Sequence, residues 1–167
     1  MQNIRIRKFR ESDRQAIKHI TAICFEGVSV DHAIEERYGL VDGQDWRARK
    51  VRHIDDDVAA DANGIFVAES EGQVIGYITA RVDVDTKIAG IPNLGVLPAY
   101  RGQGIGRTLI ETAVAYARDA GMHFIRIETL AHNPIGQHLY PSCGFVEMAR
   151  QIHYVRPLQD TDVDSDD

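Results

Sequence analysis

Little in this chain supports metal, redox or membrane chemistry. Its 167 residues include only two cysteines, Cys24 and Cys143. Neither stands in a CxxC or zinc-type spacing, so two reduced thiols of a cytoplasmic protein are the simplest reading. Among the seven histidines, His123, His132 and His138 fall near one another without HExxH or other paired-ligand spacing, and no metal is expected. No apolar run approaches the roughly 20 residues of a membrane helix. The opening Met-Gln-Asn-Ile-Arg alternates polar and apolar residues, unlike a signal sequence, and no membrane partner is expected. Basic excess is missing too. The net charge is −6, yet five of the last eight residues are aspartate, which leaves the remainder close to neutral and gives no footprint for nucleic acid.

What is present is the composition of an ordinary globular protein, 44% hydrophobic and 26% charged. Residues 1–157 read as one domain, since two would be cramped at this length. Residues 158–167 read as an acidic, disordered tail with too little apolar surface to fold. Ile4 and Ile6 alternating with Arg5 and Arg7 predict a strand over 3–9. Ser12 and Gln15 read as a capping box opening a helix with Ala16, Ile17, Ile20, Ile23 and Cys24 on one face. Two short helices are predicted over 31–37 and 45–60, with Gly39 and Gly43 between them. Trp46 reads as core or interface, and Asp55-Asp56-Asp57 as a solvated face or a lure for a cationic acceptor.

A hairpin is predicted from Ile65–Glu69 and Val74–Asp85 around Ser70-Glu71-Gly72-Gln73. Its second strand places Val74, Gly76, Ile78 and Ala80 on one face, with Ile75, Tyr77, Thr79 and Arg81 opposite. A strand over 87–97 follows, then a helix over 104–120 burying Ile105, Leu109, Ala113 and Ala117 and stopping at Gly121. A strand over 123–130, a helix over 134–142 and one or two strands over 144–156 complete the pattern. An early hairpin and a late strand–helix–strand unit favour an α/β fold with a mixed sheet and flanking helices.

The most informative segment runs from Leu94 to Arg107, where a strand enters a turn with glycines at 102, 104 and 106 and the turn opens an amphipathic helix. Glycine permits close backbone approach. The free N–H groups of a first helical turn, with the helix dipole behind them, attract an anion. Arg101 and Arg107 add mobile positive charge, and the whole reads as a pyrophosphate-binding device. A P-loop would require GxxxxGK(S/T), but no lysine follows this turn. A dinucleotide site would require a third glycine where Arg107 stands, although Glu128 at the end of the next strand could serve as its ribose-binding acid. A glycine-rich turn that merely starts a helix is the remaining reading.

Val96-Leu97-Pro98 followed by Arg101-Gly102-Gln103-Gly104-Ile105-Gly106 resembles the signature of the GNAT superfamily of N-acetyltransferases. A second block, Glu128-Thr129-Leu130-Ala131-His132-Asn133, then Leu139-Tyr140 and Cys143-Gly144-Phe145, resembles the ribosomal-protein N-terminal acetyltransferase branch. The resemblance implies a single-domain fold with a mixed, mostly antiparallel, splayed central sheet flanked by helices. It implies transfer of an acetyl group from acetyl-CoA to a primary amine by direct attack, without metal. The amine could belong to a protein N-terminus, a lysine or a small molecule, and a homodimer stays open. A non-catalytic acyl-CoA-binding or sensing module of the same fold is the rival.

Residue by residue, the resemblance gives Leu94, Gly95 and Val96 the backbone that pairs with the pantetheine arm, with an N–H near Val96 for the thioester carbonyl. Arg101, Gly102, Gln103, Gly104, Ile105, Gly106 and Arg107 fall at the pyrophosphate. Asn133 is either a ligand of the CoA arm or a turn residue before Pro134. Tyr140 is either the general acid for the departing thiolate or an aromatic packed beneath the helix. Glu128 is either the base for the amine, acting through burial or a bridging water, or a solvated carboxylate. The strand from Ile88 to Val96 contains no acid to replace it.

Overall fold

A two-residue turn sets the sheet. In the computed structural model, which describes residues 3–159, β2 (Ile65–Ser70) and β3 (Gln73–Arg81) are joined by Glu71 and Gly72. Both turn residues have positive φ, 51° and 81°, as the right-handed twist of a tight hairpin demands. β1 (Ile4–Lys8) pairs antiparallel with β2, and β4 (Ile88–Val96) antiparallel with β3. The short β5 (Phe124–Ile127) pairs parallel with β4, giving the order β1-β2-β3-β4-β5. The sheet is therefore mixed and mostly antiparallel, as expected. The expected second hairpin strand ends four residues early, because the Asp83 carboxylate accepts from the amides of Asp85 and Thr86 and folds the chain into a turn.

Two irregularities decide which side chains share a face. Ala68 pairs with Gly76 but Glu69 with Val74, so Ile75 is an inserted residue. The insertion reverses the alternation: Ile75 joins Ile78 in one core while Val74 joins Tyr77 in the other, contrary to the regular pattern expected. A second shift lies opposite Ala80, at Ile91-Pro92, where proline has no N–H to give the ladder.

One face is covered by α5 (Ile105–Asp119), whose Leu109, Ile110 and Ala113 are fully buried against Ile78 and Ala80. The other carries α1 (Arg14–Cys24) and α4 (Arg52–Asp61), packed through Ile17, Ile20 and Ile54 onto Val67 and Tyr77. The α1 stripe is Ile17, Ile20 and Thr21, with Ile23 turned outward. Ser12 does not cap it. Asp13, at its N-terminus, makes no side-chain bond to it either, and its carboxylate accepts instead from the Arg10 amide at 2.7 Å, at the start of the preceding 3-10 turn Glu11–Asp13. Between them lie α2 (Val30–Tyr38) and α3 (Trp46–Lys50). The helix expected over 45–60 is two, with Val51 at the junction, and Trp46 is core. No helix among the described residues is long and apolar enough to cross a membrane.

The last third departs most from expectation. β5 has four residues rather than eight, and α6 (Pro134–Ser142) follows. Residues 144–156 form no strand, and Val146, Met148, Ile152 and Tyr154 are exposed. Their alternation matches a strand, but no strand pairs with them among the described residues. Residues 160–167 of the expected tail lie outside the described residues.

At the far edge Arg7 forks onto Asp13 at 2.8 and 2.9 Å and reaches Glu69 at 2.7 Å. Burial pushes the Asp13 carboxyl up, but the Arg7 fork and the Arg10 amide outweigh it and hold it below its ordinary value. A depressed carboxyl stabilises the fold above its unfolded pKa of about 4 and loses that effect as pH falls through the lower folded value. Asp13→Asn should therefore cost about 3 kcal/mol in urea unfolding at neutral pH, with the gap to wild type closing in acid.

Candidate active site

The parallel pairing of β4 with β5 stops at Ile91 and Ile127, while β4 continues to Val96. A fork opens there. The amide of Asn93 points toward β3, donating to Thr79 Oγ1 at 3.0 Å, and that of Leu97 donates to Ile75 O at 2.9 Å. Strand alternation then turns the N–H groups of Leu94 and Val96 into the fork. The Val96 carbonyl faces the same way, accepting from Arg101 Nε at 3.0 Å and Cys24 Sγ at 3.3 Å. Gly95 differs from its two neighbours. Its backbone belongs to the β3 ladder, and a Cβ there would stand 3.1 Å from Ile20 and Tyr77. Of the three residues expected along the pantetheine arm, Leu94 and Val96 present polar groups to the fork and Gly95 lets α1 lie close on β4.

Past the strand, Pro98–Tyr100 make a single 3-10 turn and Gly102 and Gly104 take φ of 76° and 79°. A Cβ at either would meet nothing within 4 Å, so the space before them is open. The first intrahelical bond of α5 runs from Thr108 N to Gly104 O. The amides of Ile105, Gly106 and Arg107 therefore have no helical acceptor and form an anion cradle at the positive end of the dipole. Gln103 is exposed in the turn, Ile105 sends its side chain into the core, and Gly106 faces Leu139 of α6. The two arginines, expected as mobile charge, each have backbone acceptors in this structure. Arg101 is folded onto Val96, and Arg107 forks onto Ser142 O and Oγ at 2.8 and 2.9 Å, tying α5 to the end of α6.

Tyr140 and Glu128 stand on opposite sides of the sheet. Tyr140 packs against the α5 core with its ring edge-on to Phe145 at 6.3 Å, and burial pushes its pKa up to about 12. Among the described residues its hydroxyl has no hydrogen-bond partner. Glu128 is exposed just past β5 and lines a cavity of about 620 Å³ on the α4 side. The Asn133 side chain donates to Thr129 Oγ1 at 2.9 Å, bracing the approach to α6. His132 contacts the Gly27 carbonyl, and no cluster of three or more His, Cys, Asp or Glu suited to a metal occurs among the described residues.

Sequence reasoning missed a buried polar cluster under that cavity. Asp57 is 1% exposed, bound by Arg81 at 2.5 and 3.0 Å and by Asn93 Nδ2 at 2.7 Å. Asn93 Oδ1 accepts from Lys50 Nζ at 2.9 Å. Burial lowers the Lys50 pKa against the pull of Asp31 and Asp57. Of the acidic run, Asp56 is exposed and Asp55 is half-exposed and pairs with Arg14 and Lys18, so only Asp57 departs from a solvated face. The available signal was an arginine and an asparagine inside otherwise apolar strands, since buried polar groups require partners.

A family model described as the acetyltransferase (GNAT) family matches residues 17–145. A mycothiol acetyltransferase of Cellulomonas flavigena is 30% identical over 106 residues, 58% of this chain and 30% of that protein. The match thus spans about a third of the length of such relatives. Aminoglycoside N(6')-acetyltransferase type 1 of Stenotrophomonas maltophilia is 27% identical over 109 residues, covering 60% of this chain and 71% of its own. PaiA N-acetyltransferase from Thermoplasma acidophilum, solved in complex with coenzyme A, superposes with a TM-score of 0.66 at 19% identity, over 84% of this chain and 87% of that one. The ribosomal-protein-S18-alanine N-acetyltransferase from Escherichia coli gives 0.62 at 22% identity, over 88% and 80%.

Proposed function

The chain belongs to the acetyltransferase (GNAT) family, and on that premise we propose that it transfers an acetyl group from acetyl-CoA to an amine by direct attack. The observation that carries the reading is the continuity of the β4 fork with the glycine cradle at the start of α5. The amides of Ile105, Gly106 and Arg107 hold the pyrophosphate, and the strand length from there to Leu94 lies alongside the pantetheine arm. The Val96 N–H, turned into the fork, polarises the thioester carbonyl.

Glu128 receives the ammonium proton, directly or through one water, from the α4 side of the sheet. Attack forms the C–N bond and breaks the C–S bond. Tyr140, kept protonated by burial, donates to the leaving thiolate from the α5 side, and the second proton shed by the new amide nitrogen passes to water, from which Tyr140 is reprotonated. Thiolate formation and amine deprotonation are thus served by separate groups on separate faces.

The direct test is a screen of amine classes with radiolabelled acetyl-CoA. Label in at least one acetylated amine is expected, and stoichiometric CoA binding with no transfer to any class would assign the chain to acyl-CoA sensing instead. Binding itself should depend on the cradle. Gly104→Val puts a branched side chain into the open space at a positive φ, and calorimetry should show at least a tenfold loss of acetyl-CoA affinity, about 1.4 kcal/mol. Unchanged affinity in a folded variant would place the cosubstrate elsewhere.

A further inference from the structure

Three residues lie in one row across the sheet. Arg81 of β3 pairs with Gly90 of β4, and Gly90 pairs with Arg126 of β5. Residues paired across strands project from the same face. Strands lie about 4.8 Å apart, so the two arginines stand on either side of Gly90 with about 10 Å between their backbones. Their face is the α4 side, because Ala80, Ile91, Ile125 and Ile127 pack toward α5 and Arg81 reaches Asp57 of α4. A Cβ on Gly90 would meet nothing within 4 Å. The row is a trough with a bare floor and two guanidinium walls, and the 620 Å³ cavity runs over it to Glu128.

The charges in this cavity are not equally available. Asp57 anchors Arg81 and offsets part of its charge, and Asp83 is turned to the amides of Asp85 and Thr86. Arg126 is exposed and has no ion-pair or hydrogen-bond partner among the described residues. Glu128 follows it by two residues, about 7 Å nearer the open end of the fork. A cation and an anion at that offset, both without ion-pair partners among the described residues, match a ligand bearing the opposite charges.

We infer that the trough is the anion-binding half of the acceptor site, so that the acceptor is an amine that also carries a carboxylate several bonds away. The carboxylate lies over Gly90 between Arg126 and Arg81, and the amine reaches Glu128. The fate of the amine rests on the acetyl transfer proposed above, but recognition of the carboxylate does not. Arg126 is the residue to test, since removing Arg81 would leave Asp57 buried without its partner.

The experiment is calorimetric titration of the full chain, saturated with CoA, with 5-aminopentanoate and with pentylamine, which differ only in the carboxylate. The wild type should bind 5-aminopentanoate at least tenfold more tightly. Arg126→Gln and Gly90→Val, which fills the floor, should each bring the two affinities together. Equal binding of both amines by the wild type, or a preference that survives Arg126→Gln, overturns the inference. Parallel turnover assays with acetyl-CoA separate the two readings. Carboxylate-dependent binding without acetyl transfer supports the trough and overturns the proposed activity. Transfer to amines without any carboxylate preference does the reverse.

Discussion

Tyr140→Phe is expected to lower kcat roughly 10²–10³-fold, equivalent to about 3–4 kcal/mol of transition-state stabilisation. The change removes one hydroxyl that has no hydrogen-bond partner among the described residues and keeps the ring against Phe145 and the α5 core. No buried group is orphaned, so the melting temperature should hold. Affinity for acetyl-CoA should stay within a few-fold, because the lost interaction develops only as the thiolate forms. With its pKa pushed up to about 12, the hydroxyl keeps its proton through any ordinary assay pH, and its ionisation should add no alkaline limb to the rate profile below about pH 10. Steady-state kinetics with a working acceptor, a thermal melt and a CoA titration check all three expectations. Full activity in the Phe variant would remove Tyr140 from the chemistry, and a large fall in melting temperature would make its hydroxyl structural.

Glu128→Gln should lower kcat/KM by about 10²-fold, with the deficit largest at low pH and narrowing as the free amine becomes abundant. Acetyl-CoA binding should be unchanged, since Glu128 lies on the α4 side, away from the cradle at α5. The substitution preserves shape at an exposed position, so folding should not intervene. A pH–rate profile superimposable on wild type would leave water alone as the base.

The cradle was legible because its physics is local. Gly102, Gly104 and the first amides of α5 are consecutive, and neither positive φ nor unpaired helical N–H groups require a distant partner. The same locality made the hairpin turn at Glu71-Gly72 and the stop of α5 at Gly121 readable. Arg101 and Arg107 sit in the same stretch, but their hydrogen-bond partners were not readable there. Their acceptors, Val96 O and Ser142, come from different elements, one of them 35 residues away. Periodicity likewise assigned one regular face to β3, because nothing in residues 73–81 announces that Ile75 will be passed over in the pairing with β2.

The sequence by itself determined the order of the strands through β5 and of the helices that follow β4, the glycine cradle, and the presence of Tyr140 and Glu128 twelve positions apart. Tertiary structure alone decided that these two lie on opposite sides of the sheet, and that Asp57, Asn93, Lys50 and Arg81 meet in one buried cluster. It also aligned Arg81, Gly90 and Arg126 in a single row. The reason lies in the range of the forces. Backbone strain and orphaned amides act within a turn and are written in neighbouring residues, whereas register, burial and charge pairing depend on which strands and helices come to lie side by side.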